Sequence, residues 1–277
     1  MSLSRSLVTL VTALLGCGTI TTVEPPPPIP PPPPPPSGNP VVLFVGNSLT
    51  YTNSLPNTVA SIARAAGKPI ETVMAAGAGL ALIDHINGSS NALPLLSKGG
   101  YDIVVLQQGP TPAGICRDSL ILWTRMFDQR IKAAGARTAV MMAWSGAPGS
   151  GQDWDFDDVR LSFQLAASAV NGIFLPAGEA WRAAWREDPT LKLYGLDGYH
   201  PSPLGTYLAA LEIYERISGT DVRTLAPVAF TGNAPLDIPE AEIRLLQRAA
   251  HEANSTFGPS PGLTVPPMGT GAGVGHC

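Results

Sequence analysis

A short, turn-rich segment late in the chain carries two residues suited to acid–base chemistry. It places Asp197 three positions before His200, with Pro201 directly after the histidine. At this spacing a carboxylate can orient an imidazole while the second ring nitrogen faces a nucleophile. Pro201 restricts His200 to extended backbone angles, which helps to hold that geometry. The alternative is a surface loop in which Asp197 only caps a turn.

His200 is the best candidate for a general base by elimination. His251 lies on an expected late helix, His276 lies in the tail, and His85 has no turn-borne carboxylate at comparable spacing. A serine nucleophile needs such a base, because its own hydroxyl barely ionises near neutral pH. A serine that the fold brings close to His200 would complete such a pair.

The serine that best suits this base lies in Gly46-Asn47-Ser48-Leu49-Thr50, directly after an apolar run. A serine at the end of a strand, close to a glycine, can present its hydroxyl and its backbone N–H to one ligand. The alternative is a plain strand-to-helix turn, with Asn47 or Ser48 as the N-cap. The hypothesis is a Ser48–His200–Asp197 relay built from two distant segments.

The elements around these residues predict an α/β fold. We expect strands at 40–46, 70–74, 102–107, 138–144 and 172–176, and helices near 54–66, 118–134, 158–170, 178–185 and 203–217. This alternation favours a doubly wound, mostly parallel sheet with helices on both faces. Ligands of such sheets gather at the carboxyl ends of the strands. Ser48 follows the first strand at that edge.

The two blocks resemble those of the SGNH (GDSL) hydrolases. Gly46-Asn47-Ser48-Leu49 matches that family's first block, and Asp197 to Pro201 matches its last, Asp-x-x-His-Pro. The resemblance implies a three-layer, flavodoxin-like domain with a five-stranded sheet at 40–255. It also implies a serine esterase in which Ser48 is the nucleophile, His200 the base and Asp197 its orienting group. No cofactor and no metal are expected.

The middle blocks of the family predict the oxyanion hole. The resemblance implies N–H donors from Ser48 and from Gly79, which we prefer over Gly77; both glycines could instead only permit a tight turn. The family's third block is Gly-x-Asn-Asp, whereas this chain has Leu106-Gln107-Gln108-Gly109-Pro110. Because a Gln amide also donates hydrogen bonds, Gln108 is the proposed side-chain donor, with Gln107 as the alternate.

Other residues are weaker candidates for the site. Trp144, at the end of the fourth strand, is a candidate for lining the substrate pocket, although core packing would explain it equally well. Asn47 is a second candidate lining residue. Glu179 and the acidic segment 153–158 fit the first turns of helices better than they fit a catalytic or cation-binding role.

The resemblance implies an O-acetyl or short acyl ester substrate, carried by a carbohydrate in exported members of the family. A short-chain lipid ester is the alternative substrate. The alternative function, of a different class, is a catalytically weak surface lipoprotein that binds glycans or a partner. The altered third block, with two Gln in place of Asn, is the feature that keeps this alternative open.

The N-terminal segment predicts export. Residues 1–17 contain one Arg, a short apolar run and Gly16-Cys17, which resembles a bacterial lipobox. The run is too short to span a bilayer, so we expect a signal peptide with lipidation at Cys17. Residues 18–39 form a proline-rich linker, and 256–277 a Gly/Pro-rich tail without order. The expected location is a membrane-anchored lipoprotein in the periplasm or at the cell surface.

Composition supports one globular domain and argues against nucleic acid as a partner. Hydrophobic residues make up 44% of the 277 and charged residues 14%, the reverse of a disordered chain. The net charge is −4 and no run of Lys or Arg stands out, so a phosphate-binding surface is not expected. Three cysteines are too few for a disulfide framework, and pairing of Cys116 with Cys277 is left open.

Overall fold

The computed structural model describes residues 38–258 and 262–265. The predicted signal peptide, its lipidation site Cys17, most of the proline-rich linker and Cys277 lie outside the described residues. Cys116, in contrast, is described and is disulfide-bonded.

A five-stranded parallel sheet forms the centre of the domain, in the strand order β2-β1-β3-β4-β5. This order and the all-parallel pairing confirm the predicted flavodoxin-like α/β fold. The ends of the predicted strands differ from the observed ones by up to three residues. The strands are β1 (Val41–Gly46), β2 (Glu71–Ala76), β3 (Ile103–Leu106), β4 (Arg137–Met141) and β5 (Ile173–Leu175).

Helices cover both faces of this sheet. In β1, Val42 and Phe44 pack against the helices on one face, whereas Leu43 and Val45 pack against the helices on the other. Because both faces are buried, the strand reads as a continuous apolar run. The helices are α1 (Ser48–Tyr51), α2 (Leu55–Ala65), α3 (Leu82–Ile86), α4 (Ala92–Lys98), α5 (Ile115–Ala133), α6 (Phe156–Ser168), α7 (Ala177–Glu187), α8 (Pro203–Ser218) and α9 (Glu240–Phe257).

The C-terminal part of the domain departs from the prediction. A two-stranded antiparallel ribbon, β6 (Ala229–Thr231) with β7 (Ala234–Leu236), precedes α9. Residues 262–265 form no helix or strand, but Leu263 and Val265 are half-buried against the core on the α5/α6 side of the sheet. Two apolar side chains separated by one residue form too short a pattern for sequence periodicity to predict this packing.

No helix in the described ranges is both long enough and apolar enough to cross a membrane.

Candidate active site

The turn after β1 presents Ser48 at the carboxyl edge of the sheet. Ser48 is the first residue of α1, and Asn47 caps that helix by accepting a hydrogen bond from Leu49 N–H (3.0 Å). Asn47 also donates from Nδ2 to the carbonyl of Leu80 (3.2 Å), in the loop after β2. Asn47 is 5% exposed, so it holds the turn together and does not offer the substrate-pocket surface that we expected of it.

Gln107, directly after β3, clamps the same turn. Its Oε1 accepts hydrogen bonds from Asn47 N–H (2.9 Å) and from the Thr50 hydroxyl (2.7 Å), the residues on either side of Ser48 and Leu49. A side chain at Gly46 would not fit, since its Cβ would lie 2.3 Å from Thr50 Oγ1 and 2.4 Å from Gln107 Oε1. Glycine is therefore required for close packing around the serine.

The predicted imidazole–carboxylate pair is formed. His200 Nδ1 lies 2.5 Å from Asp197 Oδ2, and Asp197 Oδ1 accepts the backbone N–H groups of Tyr199 and His200 (both 3.0 Å). The hydrogen bond from His200, with help from the Tyr199 N–H, lowers the pKa of Asp197 to about 2. Because the carboxylate stays ionised, it accepts a hydrogen bond from Nδ1–H, and this tautomer of the ring leaves the lone pair on Nε2.

Contacts on either side of His200 attach its loop to the end of the sheet that bears Ser48. Asn53 Nδ2 donates to the carbonyl of Pro201 (2.8 Å) and to Thr206 Oγ1 (3.0 Å). Tyr199 packs over Gly109, where an added Cβ would lie 3.2 Å from the Tyr199 hydroxyl oxygen. Within residues 38–258 no hydrogen bond joins the Ser48 hydroxyl to His200.

Asn53, which links the serine segment to the histidine loop, has a strained backbone conformation. Asn53 (φ 52°) and Ser54 (φ 58°) are consecutive non-glycine residues in the left-handed region. Each such residue costs about 1–3 kcal/mol and persists only where surrounding contacts enforce it. Asn53 donates its two hydrogen bonds from this conformation, so the strain lies where the serine segment meets the histidine loop.

The loop after β2 offers a free backbone donor. Gly79 has φ +66° and open space around its Cα, and in the described part of the chain its N–H has no hydrogen-bond partner. Gly77, in contrast, donates to the carbonyl of Gly46 (3.3 Å). This difference favours Gly79 over Gly77 as the oxyanion donor.

Gln108 does not suit the role that we predicted for it. Its side chain is fully buried, Oε1 accepts from Leu82 N–H (3.2 Å) and Nε2 donates to Thr111 Oγ1 (3.1 Å). The alternate, Gln107, has a buried Nε2 without a hydrogen-bond partner in the described region. A buried donor left unpaired costs about 1–3 kcal/mol, so it requires an explanation.

Neither the known protein families nor the curated proteins give a match. Among solved structures, a protein from Slackia heliotrinireducens assigned as an SGNH hydrolase is 26% identical, with a TM-score of 0.53. The match covers 64% of this chain and 98% of that chain. The chain has the fold of the SGNH/GDSL hydrolases, and this similarity supports its assignment to that family.

Two further structures are similar in fold. A DUF4886 family protein from Bacteroides uniformis is 17% identical with a TM-score of 0.59, and the match covers 79% of this chain and 96% of that chain. A protein from Parabacteroides merdae assigned as a GDSL-like lipase is 16% identical with a TM-score of 0.51, over 65% of this chain and 96% of that chain.

Trp144 is a core residue of this domain. It is fully buried and stacks on Trp181 with ring centroids 4.0 Å apart, so the expectation that it lines a substrate pocket is wrong. Its Nε1 donates to the carbonyl of Tyr199 (3.0 Å), next to the catalytic histidine candidate. Trp144 therefore holds the histidine loop from beneath.

The acidic residues have structural roles, as expected. Glu179 lies in the first turn of α7 and is buried between Arg160 and Arg182, each 3.0 Å from its Oε1. Asp155 caps α6 by accepting the N–H groups of Asp157 and Asp158.

His85 contributes to the serine turn in a way that sequence reasoning missed. It is fully buried on α3, with Nε2 3.1 Å from the carbonyl of Gly46 and Nδ1 2.6 Å from Ser90 Oγ. Burial lowers the pKa of His85, so the neutral ring donates from Nε2 and accepts from Ser90. The helix that carries it is only five residues long, too short to show periodicity.

A second serine–histidine–carboxylate set lies elsewhere in the described residues. Ser255 Oγ is 3.1 Å from His251 Nε2, and His251 Nδ1 is 2.8 Å from Glu215 Oε1. Glu215 follows the start of α8 by twelve residues, which is about 18 Å along the helix and away from the carboxyl edge of the sheet. Ser255 lies in the last turn of α9, where its N–H is engaged in the helix and leaves no oxyanion donor.

Proposed function

We propose that this SGNH hydrolase is a serine esterase that uses Ser48, His200 and Asp197. The observation that carries the proposal is the hydrogen-bonded His200–Asp197 pair, held at the same sheet edge as the serine turn. The missing Ser48–His200 hydrogen bond is compatible with this role, since catalytic hydrogen bonds are often long before substrate binds.

The reaction would proceed by acyl transfer in two steps. His200 Nε2 accepts the Ser48 proton as Oγ bonds to the ester carbonyl carbon, and the carbonyl oxygen becomes an oxyanion. The bond to the alcohol then breaks, and His200 returns the proton to the leaving oxygen. Water attacks the acyl-serine with His200 again as base, which releases the carboxylic acid and restores Ser48.

The oxyanion would rest on the N–H groups of Ser48 and Gly79 and on the amide of Gln107. Gln107 replaces Gln108 in this role because its Nε2 is unpaired and its Oε1 already fixes the serine turn. An oxyanion beside the turn would supply the missing acceptor. Such preorganised donors stabilise the transition state far more than the ground state.

Gln107→Glu tests this donor, because glutamate retains an acceptor for Asn47 and Thr50 and loses the N–H. We expect kcat to fall about 10²- to 10³-fold. Gln108→Glu is the matched control: it also buries a carboxylate but keeps an acceptor for Leu82 N–H, and a loss below about tenfold is expected. Rates are compared per folded protein, with thermal unfolding followed for both. Equal losses in the two variants would remove Gln107 from the oxyanion hole.

The substrate class that we propose is an O-acetyl or short acyl ester, carried by a carbohydrate. The support is the family's chemistry and an aromatic cavity beside the histidine loop, described below. A short-chain lipid ester remains the alternative. The purified chain is expected to hydrolyse p-nitrophenyl acetate, and complete absence of turnover would refute an esterase.

One observation favours a second candidate, a glycan- or partner-binding protein of weak activity. The Ser48 hydroxyl has no hydrogen bond to His200 in the described ranges, as would also hold for a decayed site. This candidate predicts oligosaccharide binding without turnover of p-nitrophenyl acetate. The esterase predicts turnover, so the same two measurements separate the candidates.

We further propose that the chain is an exported lipoprotein anchored through Cys17. Stable anchoring requires more than one acyl chain, which the modified cysteine of a lipoprotein would carry. In an expressing bacterium, Cys17→Ser is expected to abolish incorporation of radiolabelled palmitate. Cys277→Ser should leave it unchanged. Undiminished labelling of the Cys17 variant would exclude this anchor.

A further inference from the structure

A cavity of about 700 Å³ opens beside the histidine loop. One wall is formed after β4 by residues 145–148, 153, 154 and 156, and the opposite wall by residues 189, 191–196 and 198 together with Trp185 of α7. Its volume lies within the 300–1,000 Å³ typical of ligand pockets. None of the catalytic residues proposed above lines it.

The aromatic lining of this cavity is fixed in place. Tyr194 donates its hydroxyl to the carbonyl of Ser145 (2.5 Å), and Trp185 donates Nε1 to the carbonyl of Leu191 (3.1 Å). The Trp185 and Tyr194 rings have centroids 5.3 Å apart. Because their polar atoms are already paired, these residues offer mainly apolar ring surface. Aromatic surface that is rigid before binding limits the entropy lost on binding.

Trp154 adds an open aromatic surface at the mouth of the cavity. Its side chain is 43% exposed, although large apolar side chains are usually covered in a folded protein. Asp153 and Lys192 also line the cavity, so one negative and one positive group lie at its margin. Aromatic surface with balanced charge favours a neutral, hydroxyl-rich ligand over an anion or a cation.

The cavity shares its wall with the loop that carries the catalytic pair. Gly195 and Gly198, which flank Asp197, both line it, and the Gly198 carbonyl accepts a hydrogen bond from Ala147 N–H (2.7 Å) on the opposite wall. A Cβ at Gly195 would lie 3.8 Å from Asp197 Oδ1. A ligand in the cavity is therefore separated from the imidazole–carboxylate pair only by the loop that carries the pair.

We infer that this cavity is a carbohydrate subsite, which holds an unacylated sugar unit of the substrate next to the unit that bears the ester. The inference rests on the esterase proposed above and specifies its substrate as an acylated oligosaccharide. The apolar C–H face of a sugar ring packs on the aromatic surface, while its hydroxyl groups bond to Asp153, Lys192 and backbone groups of the two walls.

Titration of the chain with xylohexaose, cellohexaose and N-acetylchitohexaose, none of them acylated, tests this subsite by calorimetry. We expect at least one to bind, and Trp154→Ala to weaken that binding about tenfold. Trp154→Phe should recover part of the loss. Leu161→Ala, at an exposed apolar position on α6 outside the cavity, is the matched control and should bind as the unaltered chain does.

Hydrolysis of p-nitrophenyl acetate is measured on the same variants and should change less than about twofold, because this small ester does not reach the subsite. Lack of binding by all three sugars, or equal binding by Trp154→Ala, would overturn the subsite. So would a Trp154-dependent preference for p-nitrophenyl octanoate, which would indicate an acyl-chain site. Sugar binding without acetate turnover would instead refute the esterase and leave the sugar site standing.

Discussion

Ser48→Ala is expected to lower kcat for p-nitrophenyl acetate by at least about 10³-fold while the domain stays folded. The variant removes the proposed nucleophile, so no acyl-enzyme can form at this position, and the oxyanion donors alone give a small residual rate. The Ser48 hydroxyl makes no hydrogen bond in the described part of the chain, so its removal breaks no contact of the turn. Thermal unfolding within a few degrees of the unaltered chain should confirm that the fold is retained.

Ser255→Ala is the matched control for this prediction. Ser255 also lies against a histidine that is bonded to a carboxylate, yet it has no free N–H donor beside it. Activity of this variant should equal that of the unaltered chain. Loss of activity in Ser255→Ala with retention in Ser48→Ala would move the catalytic site to α9 and contradict the proposed function.

Asp197→Asn should produce the second large effect, a fall in kcat of about 10³- to 10⁴-fold. The asparagine Oδ1 can still accept the N–H groups of Tyr199 and His200, so the turn is retained. Its amide, however, turns an N–H towards His200 Nδ1, which stabilises the tautomer protonated at Nε2. A ring with Nε2 protonated cannot accept the Ser48 proton.

Two readouts separate this tautomer effect from general damage. The imidazole ¹⁵N shifts of His200 should show protonation moving from Nδ1 to Nε2 in Asp197→Asn. Asp188→Asn is the matched control, since Asp188 is a half-buried aspartate after α7 that accepts the N–H of Thr190 (2.9 Å). Full activity of Asp197→Asn, or an equal loss in the Asp188 variant, would show that the carboxylate does not orient the base.

The parts of the fold set by local pattern could be predicted. The run from Val41 to Gly46 is apolar at every position before the glycine because both faces of β1 are buried. Asp197 and His200 are close in sequence, so their geometry depends on one turn and on the restriction that Pro201 imposes. Both features are local, so residue types and spacing are enough to predict a buried strand and a contact between the two side chains.

The parts set by long-range packing could not be predicted. Gln107 and Gln108 are adjacent and identical in type, so only their neighbours in space distinguish them. Gln107 uses its oxygen to accept from Thr50, and its amide nitrogen stays unpaired among the described residues, whereas the amide nitrogen of Gln108 donates to Thr111. Trp144 stands at a strand end where a pocket wall and a core position have the same pattern. Its stacking on Trp181, 37 positions later in the sequence, makes Trp144 a core residue, and a local pattern cannot show this contact.

The most direct test of the central claim is to find which residue a fluorophosphonate probe modifies. Only a hydroxyl activated by a base reacts, so the adduct reports the catalytic pairing itself. After tryptic digestion, mass spectrometry should place the adduct on Ser48 in the unaltered chain and show little adduct in His200→Ala. An adduct on Ser255, or labelling of Ser48 that is unchanged without His200, would contradict the relay.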